Sequence, residues 1–261
     1  MRLTVVGCQG SFPGPESPAS CYLLQAEEGE RTWNLLFDLG SGALGHVQRH
    51  LDLADIDAIF LSHLHPDHCM DVCGLHVAVH WNPDGQPERR IQIHGPAETA
   101  DRLATAYGMP LDPGMHEDFR FVPLAAGRPV RLGPLTVEPF AVRHPVEEAY
   151  AFRVTETQPD GTQTVFTYSG DTDSCEGLVE AARDADCFLC EAAFHEGRDD
   201  AITGVHLTGR RAGQAAADAG ARRLLLTHLP VWNSPVRSLE EAREAYDGET
   251  AVVAAGVSYR I

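Results

Sequence analysis

Ser62-His63-Leu64-His65-Pro66-Asp67-His68 sets three imidazoles and one carboxylate within six residues, directly after the apolar run Ala58-Ile59-Phe60-Leu61. The apolar run reads as a short buried strand. Side chains two apart on an extended chain point the same way. His63 and His65 therefore face one point beyond the strand end. Asp67 and His68 fall where the chain turns into the next helix, and they face a second point nearby. Imidazole nitrogens and carboxylate oxygens are the donors that zinc and its neighbours take. The spacing predicts two cations a few ångströms apart rather than one.

The later sequence supplies further donors at the ends of predicted strands. His144 follows Pro139–Val142, Asp171 lies in Tyr168-Ser169-Gly170-Asp171-Thr172, and His228 closes Leu224-Leu225-Leu226-Thr227-His228. The predicted assignment places His63, His65 and His144 on one ion, and Asp67, His68 and His228 on the other. Asp171 bridges them, because a bridge needs an anion with two lone-pair-bearing atoms. Five imidazoles and two carboxylates suit Zn2+, with Mn2+ or Fe as alternatives. The histidines at 46, 50, 76, 80, 94 and 116 show no such pattern and read as structural or surface residues. Cys69-x3-Cys73 and Cys187-x2-Cys190 lie in apolar patterns and read as buried reduced thiols rather than zinc ligands.

Working outward, short β-rich runs alternate with helical ones. Strands are predicted at Leu3–Val6, Tyr22–Gln25, Leu35–Asp38, Ala58–Leu61, Ile91–His94, Val130–Leu132, Leu135–Val142, Tyr150–Thr155, Thr164–Ser169, 187–191, 222–228 and within 251–260. Helices are predicted at Gly42–Leu51, Cys69–His80, Ala97–Tyr107, 175–184, 208–219 and 238–246. Gln158-Pro159-Asp160-Gly161 is a turn signal between two of the strands. Two mixed β halves with helices outside predict an α/β fold, a four-layer αββα sandwich, in one domain spanning residues 1–261.

The chain has 261 residues, 43% of them hydrophobic, enough to bury a full core. No apolar stretch is long enough to span a membrane, and the N-terminal residues read as a first strand, so a cytoplasmic location is expected. The formal charge is −18, from 38 acids against 20 bases. With no basic stripe, a large nucleic acid is not expected as partner, since such binding rests on phosphate neutralisation. A small phosphate ester held by metal remains compatible.

Taken in order, the His-x-His-x-Asp-His run, His144, Gly170-Asp171-Thr172 and His228 resemble the motifs of the metallo-β-lactamase superfamily over nearly the whole chain. Cys190-Glu191-Ala192-Ala193-Phe194 resembles the His-Glu-Ala-Thr motif of the RNase Z-like branch, with cysteine in place of its histidine. His206-Leu207-Thr208 resembles that branch's His-Ser-Thr motif. Gly14-Pro15-Glu16-Ser17-Pro18-Ala19-Ser20, Leu61-Ser62-His63-Leu64-His65 and Leu226-Thr227-His228-Leu229-Pro230 are similar to an actinobacterial group linked to cyclic-nucleotide hydrolysis. RNase Z enzymes carry a tRNA-gripping arm between the third metal histidine and the bridging aspartate. Here His144 and Asp171 are only 27 positions apart, an interval filled by one hairpin.

The resemblance implies a dinuclear metal-dependent hydrolase. The reading narrows to a phosphodiesterase acting on a small phosphodiester, a 3′,5′-cyclic nucleotide such as cAMP first. Three other readings stay open. They are an ester, thioester or lactone hydrolase on the same scaffold, a tRNA 3′-processing endonuclease, and a non-catalytic binding subunit. The missing arm and the acidic charge oppose the second, and the full set of seven donors opposes the third. The resemblance also implies a homodimer as one form of assembly. In the expected mechanism Asp67 orients the nucleophile as well as holding metal. His206 gives the leaving alkoxide its proton, with Glu191 on its other ring nitrogen. His195 is a second candidate for that proton. The Gly7–Gly14 loop could bring backbone amides to the substrate, and Trp232 with Asn233, or Trp81 with Asn82, could wall a nucleobase.

Overall fold

The computed structural model describes residues 1–83, 85 and 89–261. Its strands are β1 (Arg2–Gly7), β2 (Cys21–Glu28), β3 (Arg31–Phe37), β4 (Ala58–Phe60), β5 (Ile91–Gly95), β6 (Phe119–Pro123), β7 (Val130–Leu132), β8 (Leu135–Ala141), β9 (Tyr150–Thr157), β10 (Gln163–Tyr168), β11 (Cys187–Glu191), β12 (Arg223–Thr227), β13 (Glu249–Val252) and β14 (Ser258–Arg260). The α-helices are α1 (Ala43–Val47), α2 (Pro66–Cys69), α3 (Val72–His80), α4 (Thr99–Tyr107), α5 (Glu176–Ala182), α6 (Gly209–Ala219) and α7 (Pro235–Arg243).

Period-two alternation sorts the apolar residues into layers. On β3, Leu35 and Phe37 face the opposite sheet, whereas Leu36 faces helices. On β2, Tyr22 and Leu24 face inward, and Cys21 and Leu23 outward. One sheet runs β14-β1-β2-β3-β4-β5-β6 and the other β13-β12-β11-β10-β9-β8-β7. Each combines antiparallel neighbours on one side with parallel ones on the other: β3 to β6 are parallel in the first sheet, and β10 to β13 in the second. Parallel strands need covered faces. Ala43, Val47, Leu75 and Leu103 of α1, α3 and α4 cover the first sheet. Leu178, Ala212, Ala216 and Ala242 of α5, α6 and α7 cover the second. The result is the four-layer sandwich that the sequence predicts.

Aromatic residues fill the space between the sheets. The Phe37 ring lies 5.4 Å from both Phe60 and Phe152 and 6.1 Å from Phe166. Each such side chain contributes about 1.5–3 kcal/mol on full burial. Three of the four cysteine predictions are borne out: Cys69, Cys187 and Cys190 are buried free thiols, whereas Cys73 is a half-buried one. Burial pushes the Cys69 and Cys187 thiols up to about 12.

Several boundaries differ from the sequence reading, each for a local reason. The helix expected at Cys69–His80 begins only at Val72 as α3, with Cys69 closing the separate α2, because the His68 carbonyl and the Asp71 N–H bond to the Leu39 backbone at 2.8 and 3.1 Å. Helix α7 starts earlier than 238, where Ser234 caps the Arg237 N–H and Pro235 occupies the first turn. The strands within 251–260 belong to different sheets, and the chain crosses between them. Strand β6 was not predicted: its sequence Phe-Arg-Phe-Val-Pro carries a proline, which argues against a strand except at a sheet edge, where β6 lies. The interval from His144 to Asp171 holds the β9–β10 hairpin, as expected. Among the described residues, no helix is long and apolar enough to cross a membrane.

The parallel strands deliver their C-terminal ends to one rim. Gly170, between β10 and Asp171, has φ +58°, and an added Cβ would lie 2.5 Å from the Tyr150 carbonyl oxygen and 2.9 Å from Ser62 Cβ. Gly170→Ala is expected to destabilise the protein by about 1–3 kcal/mol and to lower its metal content. Thermal unfolding and elemental analysis of the same samples check both effects.

Candidate metal centre

All seven predicted donors converge on that rim, although they come from four separate parts of the chain. His63 and His65 follow β4, and Asp67 and His68 lie in or beside the first turn of α2. His144 follows β8, Asp171 follows β10, and His228 follows β12. The donor atoms fall into two groups, His63–His65–His144 and Asp67–His68–Asp171–His228. In the first, His65 Nδ1 lies 2.9 Å from His63 Nε2 and 3.2 Å from His144 Nε2. In the second, Asp171 Oδ2 lies 3.2 Å from His68 Nε2 and 3.3 Å from His228 Nε2. The same oxygen is 3.8 Å from His63 Nε2, so Asp171 stands between the groups as a bridge must. Asp67 Oδ2 completes the second group, 3.4 Å from His68 Nε2.

These contacts fit cations better than they fit one another. Two donors on a tetrahedral ion with bonds near 2.0–2.1 Å stand about 3.3 Å apart. Three imidazole nitrogens meeting at one point cannot all be satisfied by the protons they carry. In addition, the buried atoms His68 Nε2 and Asp171 Oδ1 have no hydrogen-bond partner among the described residues. A buried polar atom left alone costs about 1–3 kcal/mol, and a divalent ion removes that cost.

The far nitrogen of four of the five rings is held, which fixes their orientation. His63 Nδ1 meets Ser62 Oγ at 3.1 Å, and His228 Nδ1 meets Ser20 Oγ at 3.0 Å. His144 Nδ1 donates to the Val205 carbonyl at 2.8 Å. His68 Nδ1 is bonded to Asp38 at 2.6 Å. Asp38 escaped the sequence reading, yet it is fully buried and also accepts the Ser62 N–H, the Ser62 hydroxyl and the Tyr168 hydroxyl at 2.7–2.8 Å. Its one sequence signal is an acid closing the apolar strand Leu35-Leu36-Phe37.

Electrostatics prepare the donors. Burial holds the His63 imidazole well below its ordinary range, and burial also lowers His65, His144 and His228. These rings are therefore neutral, with a lone pair to give. Burial alone would raise the Asp171 carboxyl, but the His228 and His68 imidazoles hold it well below the usual range. His68 is the exception. Burial lowers it, but the carboxylates of Asp171, Asp38 and Asp67 outweigh burial and raise it well above the ordinary value. A cation at His68 Nε2 takes the place of that proton.

Backbone strain gathers here as well. Among the described residues, the non-glycine positions with positive φ are Ser11, Asp38, Asp184 and His228. Three of these four border the centre, a clustering typical of functional sites. The Ser11 N–H faces His228 Nε2 at 3.3 Å, which places the Gly7–Gly14 loop at the rim.

His206 stands beside this centre. Its Nδ1 is 2.8 Å from Glu191 Oε1 and 4.0 Å from Asp171 Oδ2. Glu191 is itself fixed by the Thr172 and Ala193 N–H groups, each at 3.0 Å. The His206 loop is anchored by the Gly204 N–H on Asp173 at 2.6 Å and by the His144–Val205 bond. Burial lowers the His206 imidazole, but the Glu191 carboxylate outweighs burial and lifts it to about 9. His195 is elsewhere: its Nε2 takes the Ser234 N–H at 3.3 Å and its Nδ1 lies 3.6 Å from Glu241, so it braces α7. That removes the second proton-donor candidate.

Beside His206 opens a cavity of about 500 Å3, bordered by Ser11, Phe194, Arg198, Val205 and Trp232. Trp232 is 60% exposed and packs on Phe12, with ring centroids 5.3 Å apart. Asn233 is buried and instead positions Arg198, accepting from its guanidinium at 2.9 Å. Trp81 lies against His80 at the far end of α3, away from this cavity. A larger hollow of about 590 Å3, by Met1, Glu27 and Tyr259, contains none of the candidate donors and has no chemistry to offer.

Asp38→Asn keeps the shape of the side chain and removes its charge. Metal affinity is expected to fall about 10–100-fold with the fold retained, as chelator competition and circular dichroism would show.

Comparison with known proteins agrees with this geometry. The family model of the β-lactamase superfamily domain matches residues 33–229. The chain is 43% identical over 264 residues to the uncharacterized protein ML1173 of Mycobacterium leprae, covering 100% of this chain and 89% of that one. It is 30% identical to the probable metallo-hydrolase YhfI of Bacillus subtilis over 98% of each chain. The crystal structure of YhfI superposes with a TM-score of 0.84 at 27% identity, covering 99% of this chain and 98% of that one. Ribonuclease Z of Halorubrum lacusprofundi is 31% identical over 302 residues, spanning 95% of this chain and 93% of that protein. With this fold, this family match and this histidine–aspartate cluster, the chain belongs to the β-lactamase superfamily, as a metallo-hydrolase of the metallo-β-lactamase fold.

Proposed function

We propose that this chain is a phosphodiesterase acting on a small phosphodiester, with a 3′,5′-cyclic nucleotide such as cAMP as the substrate class that fits it best. The observation that carries the reading is the Glu191–His206 pair at 2.8 Å, on the wall of a cavity that adjoins the candidate metal centre. A phosphodiester needs an attacking oxygen, charge neutralisation on the phosphoryl group and a proton for the departing alkoxide. In this proposal His63, His65 and His144 hold one divalent ion, and Asp67, His68 and His228 the other, with Asp171 shared. Such ions, Zn2+ first among them, would polarise a phosphoryl oxygen and lower the pKa of bound water toward ~7.

The chain's own side chains do the rest. His206 carries a proton at neutral pH because Glu191 stabilises the imidazolium, and its Nε2 is the atom left to deliver it to the leaving oxygen. Asp67 is only half committed to His68, and its carboxylate is held down to about 2 by that imidazole against the effect of burial. It stays ionised and can orient the nucleophile. Trp232 and Phe12 offer an aromatic platform on which a nucleobase stacks. Arg198 is already paired with Asp199 at 2.6 Å, so it shapes the cavity without adding net charge. The short β9–β10 hairpin leaves no arm for tRNA, which supports a small substrate over a tRNA precursor.

A panel of bis-p-nitrophenyl phosphate, 2′,3′- and 3′,5′-cyclic nucleotides, a lactone and a thioester tests this. Turnover of the cyclic nucleotides by metal-loaded protein is expected. Turnover of the lactone or thioester with no phosphodiester cleaved would reject the proposal. His206→Ala should keep the wild-type metal content and lose roughly 10²–10⁴ in rate, whereas Asp171→Ala should lose metal and activity together. As His206 acts in its protonated form, the rate should hold below its pKa and fall as pH rises through it. Glu191→Gln removes the stabilising charge and should move that fall to lower pH, as pH–rate profiles would show.

A further inference from the structure

We propose that His76, His80 and Asp118 form a separate binding site for a transition-metal cation of the zinc type. The sequence reads both histidines as structural or surface residues. The structure instead groups the three residues with donor atoms within 4.8 Å of one another. His76 and His80 lie one turn apart on α3, so both rings leave the same face of the helix. Asp118, immediately before β6, meets both of them, one carboxylate oxygen to each ring. His76 Nδ1 is 2.7 Å from Oδ2, and His80 Nδ1 is 3.0 Å from Oδ1. The imidazole centroids stand 5.3 Å apart.

Three features make this a site rather than a chance cluster. First, the donor set is two imidazoles and one carboxylate, which suits Zn2+, Co2+ or Ni2+ and not Mg2+ or Ca2+. Second, its Nδ1–carboxylate contacts, 2.7 and 3.0 Å, are slightly shorter than the contacts of the His63–His65–His144 group, 2.9 and 3.2 Å. An increase of a few tenths of an ångström brings them to the about 3.3 Å of a tetrahedral ion. Third, the site is rigid on one side and open on the other. The Asp118 and His76 side chains are 1% and 4% exposed, whereas His80 is 31% exposed and gives a route for entry and for a water ligand. The His76 ring is further held edge-on by Tyr107 at 4.9 Å. A cation here ties the end of α3 to the start of β6. It lies on the same stretch of chain that carries Asp67 and His68, but it shares no residue with that centre.

Wild type, His76→Gln and His80→Gln are saturated with Zn2+ under one set of conditions, desalted, and assayed for zinc per chain by mass spectrometry. Circular dichroism confirms that each is folded. Both variants should carry one equivalent less than wild type, and the zinc-induced rise in melting temperature attributable to that equivalent should vanish. A hydrogen-bonded clamp without metal would lower the melting temperature equally with and without zinc. Equal zinc content in wild type and in either folded variant overturns the proposal. Calorimetric titration of wild type stands apart from the variants: a further single-site binding event after the main centre fills supports the site, and its absence rejects it.

Discussion

A single buried carboxylate organises the active edge of this protein. Asp38 is fully buried at the end of β3, where an unpaired anion would be costly. It is satisfied by the backbone and hydroxyl of Ser62, by the Tyr168 hydroxyl and by His68 Nδ1. Those partners come from the segment after β4, from β10 in the opposite sheet, and from α2. One side chain therefore joins the two halves of the sandwich and sets the direction of His68. The positive φ at Asp38 is tolerated because these bonds over-determine its position.

From that anchor the logic of the rim follows. Parallel strands bring their C-terminal ends to one level, and the residues just beyond them point into a shared space. His63, Asp171 and His228 each follow such a strand, while Glu191 ends one. Hydrogen bonds behind His63, His68, His144 and His228 spend one nitrogen of each ring and leave the other facing the centre. Ring after ring is kept neutral by burial, whereas the carboxylates stay ionised through their imidazole neighbours. The arrangement is unfavourable for the protein alone and favourable with divalent cations, which is the signature of a site shaped for metal.

The cavity beside His206 adds direction. Its walls are aromatic on one side and bear the Glu191-held imidazole on the other. The overall negative charge of the chain repels large polyanions.

The buried strands and most of the donors were legible in the sequence alone. The apolar runs Tyr22–Leu24 and Leu35–Phe37 read as buried strands without knowledge of the fold, and the six-residue cluster at 63–68 is dense enough to identify locally. His144, Asp171, His228 and His206 were legible because each ends or precedes a strand or helix with a clear signal. Only the tertiary structure could decide which partners stand behind them. Asp38 meets Tyr168 from 130 positions away, and no local pattern encodes that distance. It also separated His206 from His195, which look alike in sequence but face different neighbours, and it joined His76 and His80 to Asp118 across 38 or more positions. Periodicity reports which face a residue takes. Long-range contacts choose what it meets there, and they exist only once the two sheets have packed.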